Sequence, residues 1–220
     1  STGAQSYGGT VTLAGNTTLS GAGLTFAGTV GGAHALVLRS LPVSDPARLV
    51  VVMRNNQPSQ QYPLFVHFQQ HSRTVDVLAF RTAPWRLSAG EKDERITGAL
   101  VSGNYFNVLG ISAALGTAIT NEDDTIPGSG GPRGPVAVLS HGFWMRQFGG
   151  QPQVIGSSII LNTRPFTVIG VAPPGFNGTE VGQSVDVFAP MTMQPTLMPG
   201  MGTALNQPRS QWLRIIGRLK

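Results

Sequence analysis

The sequence predicts a mixed α+β domain made of short strands and few helices. Runs of β-branched and apolar residues alternate with turns that draw on 29 glycines and 16 prolines. Three other segments carry helical spacing together with capping or terminating residues. Forty per cent of the 220 residues are hydrophobic, which is enough for a substantial core.

The first 38 residues differ from the rest because they carry no charged side chain. Between residues 7 and 30, apolar and small polar residues alternate between glycines, which is typical of strands and turns. The composition changes near Gly31–Gly32, where we place a boundary. Residues 1–32 are interpreted either as a flexible Gly/Thr-rich tail or as an extended, β-solenoid-like segment that is foreign to the rest.

The next part of the chain predicts strands around one helix. A turn rich in proline and aspartate leads into a β-branched strand at residues 49–53. Residues 62–70 predict a helix, with a first-turn proline and apolar residues at i, i+3 and i+4. Alternating residues predict strands at 75–80 and 95–101.

Two further helices are marked by the residues at their ends. Ser102 can cap a helix by accepting backbone N–H bonds, and Gly110 can end that helix in the left-handed conformation. After a strand at residues 136–139, Ser140 caps a second helix, which Gly149-Gly150 ends.

The remainder predicts β-structure and one irregular excursion. A hairpin turns at Asn162-Thr163, and the later strands are separated by a stretch rich in proline, methionine and glycine. The strands are residues 157–161, 166–171, 185–189 and 212–219, and the excursion is residues 191–210. Because the sequence stops directly after a strand, we expect a fragment of a longer protein.

Composition excludes several classes of function. The net charge of +5 is the excess of 15 basic residues over 10 acidic ones, and the 13 arginines and two lysines are scattered, without the basic run that nucleic-acid binding requires. The absence of cysteine excludes disulfides, thiolate metal sites and a cysteine nucleophile. We expect no transmembrane helix and no signal peptide within these residues.

Two groups of residues suggest metal chemistry, and each has a simpler interpretation. His67 and His71 lie four apart, but no third ligand is evident, so surface histidines are the favoured reading. The acidic run 122–124 lacks the alternating oxygen ligands of an EF-hand loop, and a solvated loop is favoured. We therefore predict no metal site and no cofactor.

Catalytic and phosphate-binding interpretations are also weak. The neighbours Ser140 and His141 could form a nucleophile and base, but Ser140 is better explained as a helix cap. The glycines of residues 128–134 are interrupted by Pro132 and do not make a phosphate loop. No ATP-binding P-loop motif occurs. The sequence therefore predicts that the chain is not an enzyme.

Several ordered motifs resemble one family. VSGNYFNVLGISAALG, VAVLSHGFWMRQFGG, LNTRPFTVIGVAPPGF and the final IGRLK are similar to the MacB-like periplasmic core domain of ABC transporter permeases, in particular the permease family abundant in acidobacteria. LRSLPVSDPARLVVV and YPLFVHFQ resemble the entry to that domain. The resemblance covers about residues 33–220. Residues 1–31 faintly resemble β-solenoid repeats of haemagglutinin-like adhesins.

The resemblance implies a porter-like βαβ subdomain with an inserted β-rich subdomain at about residues 117–210. It implies a place on the periplasmic side of a bacterial inner membrane, between two transmembrane helices of the same permease. It further implies a separate cytoplasmic ABC ATPase as partner, and a second permease copy or a periplasmic adaptor as a further possible partner. Nucleic acid is not expected as a partner.

The chain departs from the family pattern at two places. Residues 33–38 resemble the last turns of a transmembrane helix, yet Gly/Thr-rich sequence precedes them. At the hairpin, Thr163 replaces the usual glycine, and a β-branched residue disfavours the positive φ of a type I′ turn. We therefore expect a looser or differently typed turn there.

The residues singled out for function are structural or interaction candidates, not catalytic ones. One set is expected to anchor the core of the inserted subdomain: Trp144, Phe148, Phe166, Ile169 and Phe176. A second set is expected to anchor the porter part: Phe65, Phe68, Tyr105, Phe106 and Leu109. Met193 and Met198, with neighbouring methionines, are candidates for a partner-contact surface, against a mobile linker as the alternative.

Three functions follow as hypotheses. The first is a non-catalytic extracytoplasmic domain of an ABC-type permease, which transmits conformational change from a separate ATPase for export or mechanotransmission. The second is a secreted adhesin-like or surface-binding protein, suggested by residues 1–31. The third is a hydrolase that uses Ser140 or the acidic loop.

Overall fold

The computed structural model describes residues 43–54, 57–89, 92–180 and 182–220, and the backbone of six short strands between residues 4 and 40. The six strands are β1 (Ala4–Tyr7), β2 (Val11–Thr12), β3 (Thr17–Gly21), β4 (Gly23–Phe26), β5 (Val30–Gly31) and β6 (Leu36–Ser40). They pair in parallel as β1 with β4, β2 with β5 and β3 with β6. The expected turns of a transmembrane helix are therefore wrong at Leu36–Leu38, whereas residues 33–35 lie outside the described residues.

One ten-stranded sheet forms the main domain. Its strands are β7 (Leu49–Val51), β8 (Ser59–Gln60), β9 (Val75–Ala89), β10 (Lys92–Val101), β11 (Leu115–Gly116), β12 (Val136–Leu139), β13 (Ser158–Leu161), β14 (Arg164–Val171), β15 (Val187–Pro190) and β16 (Leu213–Leu219). The α-helices are α1 (Tyr62–His71), α2 (Tyr105–Leu109), α3 (His141–Phe148) and α4 (Gln194–Leu197). Short 3₁₀ turns lie at Pro46–Arg48, Asn121–Asp123, Pro152–Val154, Met191–Met193, Pro199–Met201 and Ala204–Asn206. The predicted α+β class is confirmed.

Six strands of this sheet close into a ring. Neighbours around it are β9, β10, β15, β12, β14 and β13, and β13 pairs with β9 again. Outside the ring, β16 pairs with the first half of β9, and β7 and β8 pair with β16. The ring therefore has an inner face that side chains fill and an outer face that needs cover.

Two hydrophobic cores follow from strand alternation. Ala137 and Leu139 of β12 belong to a core on the ring's inner face, which continues under α1, while Val136 and Val138 belong to a second core with residues of α2. All four residues of β12 are buried. Strands with both faces buried read as continuous apolar runs, which explains VAVL in the sequence.

A close approach fixes one glycine in β14. The pairing of β12 with β14 skips one residue between Ala137 and Val138, which leaves Ile169 in a bulge. At the next position, Gly170, an added Cβ would lie 2.1 Å from the carbonyl oxygen of Thr117. Glycine is therefore required where the chain before the acidic loop crosses the strand.

The helix ends confirm three expectations and correct one. The Phe143 N–H donates to Ser140 Oγ at 3.3 Å, and Gly149 ends α3 with φ of 59°. Gly110 ends α2 with φ of 67°. Ser102, however, does not cap α2, because its hydroxyl accepts the Ala79 N–H at 2.9 Å and so fastens the helix start to β9.

The hairpin of β13 and β14 turns more tightly than expected. Asn162 has φ of 46° and Thr163 has φ of 79°, so both central residues meet the requirement of a type I′ turn. The expectation of a looser turn is wrong. Asn162 is held by Arg86 of β9, whose N–H donates to Asn162 Oδ1 at 2.7 Å and whose carbonyl accepts the Asn162 N–H at 2.9 Å. This anchor keeps Thr163 in an unfavourable conformation.

Candidate functional site

The predicted anchor residues divide by sheet face and not by chain segment. Phe166, with partly buried Trp144 and Phe148, packs in the inner core together with Phe65 and Phe68 of α1. The outer core holds the other predicted anchors: Tyr105, Phe106, Leu109, Ile169 and Phe176. The two expected sets are therefore mixed, because neighbouring residues of one strand face opposite sides of the sheet. Each core joins residues from both predicted subdomains.

Four aromatic rings form the centre of the outer core. Tyr105 and Phe106 meet edge to face at 5.3 Å between centroids, and Phe176 stacks on Phe188 at 5.7 Å. The Tyr105 hydroxyl donates to Thr179 Oγ1 at 3.2 Å, and burial raises the pKa of this phenol. Phe188 is missing from the predicted set of anchors. It lies within the strand predicted at residues 185–189, and that apolar strand pattern is the signal that could have identified it.

The four methionines between residues 191 and 201 pack in or against the inner core. Met191 and Met193 are fully buried, and Met198 and Met201 are partly buried against the inner core. Residues 191–206 fold into short helical turns instead of a loose linker. In this conformation Met193 has no exposed surface to offer to a partner, and the flexible methionine side chains fill core space.

The acidic loop is held in place by an ion pair between Asp123 and Arg133, which we call the Asp123–Arg133 pair. Asp123 is 1% exposed, and its carboxylate accepts bonds from Arg133 Nε at 2.8 Å and Nη2 at 2.7 Å. Its Oδ2 also accepts the Thr120 N–H at 2.9 Å. Burial pushes the pKa of Asp123 up, but the hydrogen bonds from Arg133 and Thr120 outweigh it and leave the pKa below its usual range. The expectation of a solvated loop is wrong at this residue.

Asp124 joins three parts of the chain. Its Oδ2 accepts the Gly103 N–H at 2.9 Å, and its Oδ1 accepts the Thr192 N–H at 2.7 Å. Burial raises the pKa of Asp124 despite these two bonds. The carboxylate thus holds the start of α2, the acidic loop and the 191–193 turn together. Both carboxylate oxygens of Asp124, which a metal ion would need as ligands, already accept backbone hydrogen bonds.

A polar groove of about 510 Å³ separates α1 from α2 and the acidic loop. Its lining includes Tyr62, Phe65, Gln69, Asn104, Asn107, Asn121 and Asp124. Burial, with a smaller effect from the charge of Asp124, raises the pKa of Tyr62 to about 12. The Asn104 amide donates to the Val77 carbonyl at 2.8 Å, so part of this lining serves the fold. The groove offers amides, a phenol and carboxylates, but no paired nucleophile and base.

The remaining candidate groups do not converge on a reactive centre. The rings of His67 and His71 stack at 4.4 Å on an exposed helix face, and His71 Nδ1 lies 2.9 Å from the His67 carbonyl oxygen. Within the described residues, no three histidine, aspartate or glutamate side chains gather as metal ligands would. Ser140 is used as a helix cap, and His141 packs edge to face on Trp144.

The match to a known family decides the identification. Residues 20–220 match the family described as the MacB-like periplasmic core domain. The chain belongs to this family. The family comprises periplasmic domains of ABC-type transporter permeases. No curated protein matches the chain.

Solved structures share the fold of this MacB-like domain at low sequence identity. The extracellular domain of the noncanonical ABC-type transporter YknZ from Gram-positive bacteria has a TM-score of 0.53 at 17% identity, covering 78% of this chain and 81% of that one. The periplasmic region of MacB from Actinobacillus actinomycetemcomitans has a TM-score of 0.54 at 17% identity, covering 78% and 72%. A domain of a permease protein from Porphyromonas gingivalis has a TM-score of 0.55 at 16% identity, covering 79% and 75%. No helix among the described residues is long and apolar enough to cross a membrane.

Proposed function

We propose that this MacB-like domain is a non-catalytic mechanical element on the periplasmic side of the inner membrane. It transmits movement from a separate cytoplasmic ABC ATPase, through the membrane helices of its permease, to the periplasm. The further partner in this proposal is a second permease copy or a periplasmic adaptor. Membership of the MacB-like family supports the permease context.

The observation that carries the proposal is the long strand β9. Its 15 residues span about 50 Å. The first half, from Val75 to Phe80, pairs with β16, and the second half pairs along its whole length with β10. The far end pairs with β13 through Leu87 and Ser88. Every residue of β9 is therefore paired with at least one neighbouring strand, and Phe80, Leu87 and Ser88 are paired with two. Strand pairing along the whole length resists bending, so force applied at one end reaches the other.

Side-chain contacts add stiffness at points where segments distant in sequence meet. Asp124 connects the acidic loop to α2 and to the 191–193 turn. Glu180 accepts a hydrogen bond from the Thr82 hydroxyl of β9 and pairs with Arg214 of β16 at 2.6 Å. These buried or half-buried polar contacts fix neighbouring segments in one arrangement. They support movement of the domain as one rigid body.

Labelled variants of the membrane-embedded permease test the proposal. The chain contains no cysteine, and Met53 and Met145 are 58% and 50% exposed, so a Met53→Cys/Met145→Cys pair places spin labels at exposed positions outside both cores. The distance between these labels should stay constant between nucleotide-free and ATP-bound states. A fluorophore on Met145→Cys alone should change its transfer efficiency to a lipid-bound acceptor between the same states.

Two results would count against mechanical transmission. One is a fluorophore-to-lipid transfer efficiency that does not respond to ATP. The other is a spin-label distance within the domain that changes as much as the domain moves, since the strands would then deform instead of transmitting force. A hydrolysis-deficient ATPase held with ATP is the control that separates nucleotide binding from turnover.

A further inference from the structure

A small pocket lies where the pairing of β9 with β16 ends, at Phe80 and Arg214. Its volume is about 250 Å³. Pockets for drug-sized ligands usually measure about 300–1,000 Å³, so this one suits a small ion or the head of a larger molecule. Its lining consists of Phe80, Arg81, Thr82, Glu180, Gln183 and Arg214.

Arg81 carries a positive charge that no described residue neutralises. Arginine stays protonated in proteins, so it cannot lose its charge on burial. The side chain is half-buried, and its Nε is closed to solvent and has no hydrogen-bond partner. None of the ion pairs between described residues includes Arg81. Because a partly desolvated charge without a counter-charge is unfavourable, an anion beside Arg81 would stabilise it.

Glu180, which lines the same pocket, is already engaged by two other groups. Its Oε1 lies 2.6 Å from Arg214 Nη1, and its Oε2 accepts the Thr82 hydroxyl. Glu180 therefore balances the charge of Arg214. With two arginines and one glutamate, the lining residues keep a net charge of +1, which belongs to Arg81. This excess charge favours a negatively charged ligand.

The open edge of β9 adds a backbone donor. β9 pairs with β16 up to Phe80 and with β13 from Leu87, so no described strand lies opposite the residues between them on this side. The Arg86 N–H and carbonyl point to this side, where both bond to Asn162. Thr82 lies four residues earlier, and the backbone groups of alternate residues in an antiparallel strand point to the same side. The Thr82 N–H therefore faces the open edge beside the pocket.

We propose that this pocket binds a phosphate group. Arginine recognises phosphate through parallel N–H···O bonds, and the terminal nitrogens of Arg81 are the groups that would make them, because its Nε is closed. A phosphate has more acceptor oxygens than a carboxylate, so it can also use the Thr82 N–H and the exposed Gln183 amide. Free inorganic phosphate and the phosphate of a lipid head group share this chemistry. The inference does not depend on the proposed mechanical function.

Proton–nitrogen NMR of the chain 1–220 tests the site. Sodium phosphate, added at constant ionic strength with sodium chloride as the balancing salt, should shift the Thr82 amide signal in a saturable way. Arg81→Gln should weaken this binding by about tenfold or more, the effect of losing one charge-assisted hydrogen bond. Arg209→Gln is the matched control and should bind phosphate normally, because it removes the same charge at an exposed position outside the pocket.

A second variant keeps the test independent of packing around β9. Gln183→Glu changes an exposed side chain to one of similar size, and the added negative charge should abolish the phosphate-induced shift. The NMR spectrum of each variant also shows whether the chain is folded.

A second titration identifies the source of the phosphate group. Tighter binding of dihexanoyl-phosphatidylglycerol, below its critical micelle concentration, would assign the site to a lipid head group, and tighter binding of inorganic phosphate would assign it to the free ion. The proposal is overturned if neither probe gives a saturable shift at Thr82, or if sodium acetate binds as tightly as phosphate. It is also overturned if Arg81→Gln and Arg209→Gln bind equally well.

Discussion

Thr163→Gly is expected to make the domain more stable, although it removes a side chain. Thr163 is exposed and lies at φ of 79° in the hairpin turn, where Asn162 precedes it at φ of 46°. The turn cannot relax easily, because Asn162 is bonded to both backbone groups of Arg86, and its side-chain amide donates to the Leu197 carbonyl at 2.9 Å. The strain therefore remains in the folded state.

The size of the effect follows from two opposing contributions. A residue with a Cβ is destabilised by roughly 1–2 kcal/mol in the left-handed region, and glycine lacks this steric penalty. Glycine loses more chain entropy on folding, which offsets about 0.5–1 kcal/mol. The net gain is about 0.5–1 kcal/mol, or a rise in Tm of about 1–4 °C for a domain of this size.

Thermal and urea unfolding of the purified chain measure this gain. Thr163→Ala is the informative control, because it removes the β-branch but keeps the Cβ, and it should recover less stability than glycine. Thr167→Gly in the exposed face of β14 should instead destabilise the domain by about 0.5–1 kcal/mol. If Thr163→Gly lowers Tm as Thr167→Gly does, the strain at the turn is not real and the reasoning fails.

Three further substitutions test the packing at Gly98, the Asp123–Arg133 pair and the cap of α3. Gly98→Ala should destabilise the domain by at least about 1–3 kcal/mol in urea unfolding, because the new Cβ would lie 2.0 Å from the buried Trp85 ring. Asp123→Asn should cost about 1.5–3 kcal/mol by weakening the charged bonds to Arg133. Ser140→Ala should cost about 1 kcal/mol by removing the α3 cap, measured in the same way.

Two of the three have an internal check. Gly142 in α3 has open space around its Cα, so Gly142→Ala should be neutral or stabilising, and an equal loss at both glycines would contradict the steric account. The Asp123→Asn effect should depend on pH. Because the folded pKa of Asp123 is lowered, its stabilisation is present above the unfolded pKa near 4 and is lost as pH falls through the folded pKa. If the difference in unfolding free energy between the unchanged chain and Asp123→Asn does not depend on pH, the Asp123–Arg133 pair is not its source.

Local signals in the sequence were sufficient for most elements. Strand β12, the cap of α3 and the glycine end of α2 depend on the few residues that form them, so propensity and capping chemistry identify them. The boundaries of β9 and β10 were predicted too short. The additional residues, 81–89 of β9 and 92–94 of β10, gain their strand form from the pairing of these two strands and, in β9, from pairing with β13, which a local pattern does not reveal.

By itself, the sequence determined the α+β class, the position of three of the four α-helices, the absence of cysteine chemistry and the resemblance to the MacB-like family. Only the tertiary structure decided which anchors share a core, because a strand sends neighbouring residues to opposite faces and the ring joins distant segments. Burial of Asp123 and Met193 was likewise decided there, since a side chain's solvent exposure depends on what the rest of the chain places over it.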